Sequence, residues 1–108
     1  MELAFSTKAL RAVCESEERA QGELGVDLAG ILKRRLADLR AAPDVTDLVA
    51  GNPRPALHSK KELMIDLADG FTVFLTANHA ANPRLRSGDV DWSKVSRVRL
   101  LRIEKHNG

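Results

Sequence analysis

Asp91-Trp92-Ser93-Lys94-Val95-Ser96-Arg97-Val98-Arg99-Leu100-Leu101-Arg102-Ile103-Glu104-Lys105-His106 is the stretch that decides the fold. It holds no Gly or Pro after Asp91, and its β-branched and leucine side chains predict one long strand from Trp92 to His106. Strict alternation along it puts Val98, Leu100 and Arg102 on one face and Arg97, Arg99, Leu101 and Ile103 on the other. Both faces are then partly apolar, as in a strand inside a sheet with helices on one side. The arginines, with Lys105 and His106 after them, form either a solvated strand rim or a site for a polyanion.

Outward from this strand, 108 residues allow one domain, 1–108, with a single core. The 44% hydrophobic and 30% charged composition is that of a globular chain rather than a disordered one. A lone cysteine, Cys14, excludes an internal disulfide; with three histidines it also argues against a cysteine-rich zinc site, so no metal is expected. Met1 to Phe5 lacks the basic and apolar regions of a signal peptide, and no apolar run approaches the roughly 20 residues of a membrane helix. The expected location is a reducing cytoplasm, without membrane contact.

The net charge of +2 is unevenly spread. Residues 1–53 carry seven Lys/Arg against nine Asp/Glu, and residues 54–108 carry ten against six. That suits a C-terminal half facing a polyanion, or basic side chains that keep strand edges from pairing.

In chain order, Glu2 to Phe5 suits an edge strand, and Ser6 or Thr7 can cap the helix predicted from Lys8 to about Gln21. Cys14 reads there as a small core residue, since Glu15, Glu17 and Glu18 supply the wrong charge for a reactive thiolate. Gly22 and Gly25 turn the chain into a second helix, Val26 to Ala41, with Leu28, Ile31, Leu32, Leu36 and Leu39 at steps of three and four. Lys33-Arg34-Arg35 on it reads as a solvated face, or as a contact for a phosphate backbone. Pro43 ends this helix, and Asp44 can cap a short turn. Strands follow at Pro55 to His58, Glu62 to Leu67 and Phe71 to Ala77, the last two joined by the turn pair Asp69-Gly70. A long loop, Asn78 to Ser93, leads back to the opening stretch. The order predicts an α+β domain: an N-terminal strand and a helical hairpin packed on one face of a small antiparallel sheet, whose other face is open.

No phosphate-binding glycine loop, nucleophile elbow, zinc-binding His-Glu pattern or EF-hand is present. His58, His79 and His106 are widely spaced. However, Leu36-Ala37-Asp38-Leu39-Arg40-Ala41-Ala42, Asp47-Leu48-Val49-Ala50-Gly51-Asn52-Pro53, Asp66-Leu67-Ala68-Asp69-Gly70-Phe71, Asp91-Trp92-Ser93-Lys94-Val95 and Val98-Arg99-Leu100-Leu101-Arg102-Ile103-Glu104 follow one another in a recognisable order. Together they resemble the RelE/ParE toxin superfamily, and within it the HigB-like "killer protein" branch of type II toxin–antitoxin systems. The resemblance runs over nearly the whole chain and repeats the element order above.

That resemblance implies a toxin neutralised by a cognate antitoxin of helix-turn-helix type, with no cofactor. RNase members cleave mRNA in the ribosomal A site; ParE members act on DNA gyrase. The RNase chemistry needs a base for the RNA 2′-hydroxyl, cations for the phosphorane and an acid for the leaving oxygen. On this chain the expected catalytic residues are His106, Arg99 and Arg97, with Lys60, Lys61, Arg84, Arg86 and Lys105 binding RNA. Three departures bear on activity. Thr72 follows Gly70-Phe71 where the family often has arginine, the tail reads Glu104-Lys105-His106 rather than Asp-Tyr-His, and tyrosine is absent, which excludes a tyrosine-dependent mechanism. The expectation is an mRNA interferase; the alternative is a non-catalytic or gyrase-directed protein of the same fold that acts by protein binding.

Overall fold

The computed structural model describes residues 1–106. Strand β1 (Glu2–Phe5) leads into α1 (Lys8–Glu15), α2 (Glu17–Leu24) and α3 (Val26–Ala41). Then come β2 (Arg54–Pro55), β3 (Glu62–Asp66), β4 (Phe71–Ala77) and β5 (Arg97–Lys105). The five strands form one sheet in the order β1-β5-β4-β3-β2. All neighbours are antiparallel except β1, which runs parallel to β5 with Glu2 opposite Arg97 and Phe5 opposite Leu100. The fold is thus the expected α+β arrangement, with a mixed sheet in place of a purely antiparallel one.

The expected first helix is two helices. Ser16 leaves the helical conformation, donates its backbone N–H to Ala12 O to close α1, and accepts the Arg19 N–H on its hydroxyl to open α2. Glu17 and Glu18 in the first turn of α2 complement the helix dipole. Gly22 stays inside α2, and the chain turns at Gly25, whose φ of 86° a side chain would resist. Thr7 caps α1 by accepting the Leu10 N–H, and Asp44 caps a 3-10 turn at Val45–Asp47.

Leu28, Leu32, Leu36 and Leu39 of α3 are buried against Leu63 and Ile65 of β3, Val73 and Leu75 of β4, and Val98 and Leu100 of β5. Burying one such side chain is worth about 1.5–3 kcal/mol, so this helix-to-sheet layer is the main source of stability. Asp69 and Gly70, with φ of 54° and 80°, make the tight turn between β3 and β4.

The opening stretch departs from its reading in two places. Residues Trp92–Lys94 form a 3-10 turn capped by Asp91, so β5 begins only at Arg97. A bulge then interrupts the ladder: Leu75 faces Leu100 and Phe74 faces Arg102, leaving Leu101 as an extra residue. Beyond it the alternation inverts. Ile103 packs against the helix-covered core, and Arg102 joins Arg97 and Arg99 on the open face, the reverse of strict alternation. The loop before β5 is fastened rather than slack, since Val90 and Val95 are buried and His79 Nε2 accepts the Ser96 N–H at 3.1 Å.

No helix among the described residues is long and apolar enough to cross a membrane.

Candidate functional site: the open face of the sheet

With the helices on one side, the cross-strand register fixes what the other side displays. It carries Arg54 of β2, Glu62, Met64 and Asp66 of β3, Thr72, Phe74 and Thr76 of β4, Arg97, Arg99, Arg102 and Glu104 of β5, and Glu2 of β1. Four arginines therefore meet four carboxylates, and the face is balanced rather than cationic.

The pairs are specific. Arg97 Nε lies 3.2 Å from Glu2 Oε2 at the β1 side. Arg54 binds both oxygens of Asp66, at 3.0 and 3.1 Å, and the buried Thr72 hydroxyl donates to the same carboxylate. Arg102 donates through Nη2 to Glu62 at 2.8 Å and through Nε to Glu104. Burial alone would lower the Arg102 pKa, but hydrogen bonds and charge from Glu62 and Glu104 outweigh it and raise the pKa above the ordinary arginine value. Arg99 differs, because its partner is the amide oxygen of Asn78 at 3.0 Å.

Beneath Arg102 is a small apolar patch of Ala56, Met64 and Phe74, with Leu101 packed beside it. The Arg102 guanidinium carbon stands 4.2 Å above the centre of the Phe74 ring. The His58 ring lies 5.9 Å from the same ring, with Nε2 3.4 Å from Glu62 Oε1.

The expected catalytic set does not converge. Arg97 and Arg99 are at the start of β5, whereas His106 follows its end and donates its backbone N–H to Gly70 O at 2.8 Å. At about 3.3 Å per residue, the strand holds Arg99 and His106 on the order of 20 Å apart, too far to serve one phosphate. His106 instead borders a cleft of about 290 Å³ with Arg54, Asp66 and Thr72. The exposed Lys60 and Lys61 lie at the Arg99 end, where the Lys61 carbonyl accepts the Thr76 hydroxyl. Arg84 donates to Gly88 O within its loop hairpin, and Arg86 is exposed at the tip of that hairpin. Lys105 points to the helix side, its Nζ 5.6 Å over the Phe71 ring, so it is off the open face.

Arg54, His58, Glu62, Asp66 and Arg102 were not anticipated as a group. The one advance signal was the period-2 placement of Glu62 and Asp66 opposite the core positions Leu63 and Ile65. Among the described residues, no three of His, Cys, Asp and Glu come together closely enough to hold a metal ion. Comparisons with family models, with curated proteins and with solved structures return no match to this chain.

Proposed function

We propose that this chain is the toxin of a type II toxin–antitoxin pair on the RelE/ParE plan, that it acts on mRNA at the ribosome, and that a cognate antitoxin holds it in check. What supports this most is a single arrangement. The helices cover one sheet face and leave the other open, and the bulge at Leu101 gathers Arg97, Arg99 and Arg102 on that open face. Arg99, Lys60 and Lys61 at one end offer cations to a phosphate backbone.

A second reading, in which the same face binds a protein target without cleaving RNA, is favoured by one observation. His106 stands at the far end of β5 from Arg97 and Arg99, so no acid–base pair is assembled from them.

The experiment is induction of the chain alone, with growth and mRNA 5′ ends followed on translating ribosomes. Growth arrest with new cleavage ends is the expected result, relieved when the neighbouring reading frame is co-expressed. His106→Gln is expected to lower cleavage by about 10²–10⁴-fold if the imidazole moves the proton. Arrest without any new mRNA ends, unchanged in His106→Gln, selects the protein-binding reading; no arrest at matched expression sinks both.

A further inference from the structure

Arg102 is the most constrained cation on the open face. One edge of its guanidinium is held by Glu62 and another by Glu104. Its guanidinium carbon stands 4.2 Å over the centre of the Phe74 ring, and the side chain remains 35% exposed. Both the charge and the in-plane donors are thus largely used within the protein, which makes Arg102 a poor phosphate ligand. What it still presents to solvent is a rigid, flat, delocalised surface, backed by an aromatic ring and by Met64, Ala56 and Leu101. His58 stands beside it, and Leu57 next to His58 is fully exposed at 103%.

We infer that the outer side of the Arg102 guanidinium is a stacking platform for one unpaired nucleobase of single-stranded RNA, completing a Phe74–Arg102–base stack. This rests on the RNA-directed reading above. A guanidinium plane stacks on bases as aromatic side chains do, and the contact tolerates any base because each has a π-face. One further feature fits RNA. Arg99, two rungs along the ladder because the bulge takes up Leu101, lies about 7 Å away, roughly a nucleotide's reach for holding the adjoining phosphate. The two arginines therefore take different roles, Arg99 for charge and Arg102 for stacking.

The test measures binding of a short fluorescent single-stranded RNA at several salt concentrations. Arg102→Lys keeps the charge and loses the plane, and it is expected to weaken binding about tenfold while the slope of log affinity against log salt stays the same. Arg99→Ala is expected to make that slope shallower by roughly 0.7. With the unmodified protein, one abasic position in the RNA should reproduce the Arg102→Lys loss, which guards against a variant that folds poorly. If the parent protein binds RNA while both Arg102→Lys and the abasic probe bind as tightly as their references, the platform is wrong and the RNA-directed reading stands. If the parent protein binds no RNA at millimolar concentration, the platform falls, while the ribosome-directed reading is decided by the induction experiment above. Competition by an aromatic peptide but not by RNA would assign the face to a protein partner and overturn the inference.

Discussion

Cys14 shows how burial sets chemistry at a single residue. It lines the groove between the helices beside Val13 and Leu36, and burial pushes its thiol from the ordinary 9.0 up to about 11; nearby Arg40 opposes the shift and Glu15 adds to it. The neutral thiol is thus the form the fold favours. The raised pKa contributes stability below pH 9, and the contribution fades as pH rises toward 11. Alkylation at pH 7.5 should run on the order of 100-fold slower than for a free cysteine, because the thiolate fraction falls tenfold per unit. Mass-spectrometric labelling kinetics check this, and labelling at the free-thiol rate would mean that the groove opens in solution. The helical face shared by Leu10, Val13 and Cys14 was legible, but it makes Cys14 a half-buried residue packed against the core rather than a member of it; its placement on a groove wall depends on α2, which the sequence hid at Ser16.

Among the elements, β5 is where legibility in the sequence stops and three-dimensional context takes over. Its strand character, the hairpin at Asp69-Gly70 and the leucine face of α3 all follow from local periodicity, and so they were readable. The bulge was not, because Leu100-Leu101 looks like any apolar pair until Phe74 and Leu75 fix the partner strand. That one residue decides which side Arg102 faces, and the candidate site was missed for the same reason: Arg54, His58 and Arg102 come together only through β2–β3 and β4–β5 pairing. A pair of deletions tests the bulge. Removing Leu101 should leave the register of Arg102 and Ile103 intact, costing about 1–3 kcal/mol for its lost apolar contacts. Removing Ile103 instead should bring a charged side chain, Glu104 or Arg102, to the core position opposite Val73 and lower the melting temperature well below that of the Leu101 deletion. Equal melting temperatures for the two deletions, read by circular dichroism, would mean that the bulge does not set the register.

For the molecule as a whole, charge balance on the open face governs how a polyanion can bind. Arg54, Arg97 and Arg102 each have a carboxylate partner, whereas Arg99, Lys60 and Lys61 have none among the described residues. Roughly three phosphate contacts then predict a salt slope near −2 for single-stranded RNA. A slope of about −4 would show that the three paired arginines release their carboxylates on binding. The surplus of positive charge in the C-terminal half was countable in advance, but its cancellation was not, since Glu2 reaches Arg97 from the other end of the chain.

The parallel pairing of β1 with β5 also sets a timetable. Glu2 meets Arg97 across 95 residues, and β5 is the strand that joins β1 to the rest of the sheet. At about 5–20 residues per second of synthesis, β1 waits on the order of 5–20 s for its one partner strand among the described residues. Through that interval the leucine face of α3 has only part of the sheet to cover it, and closing so long a loop is the slow step in such topologies. β5 therefore acts as the latch of the sheet, and the open face is complete only once it has closed.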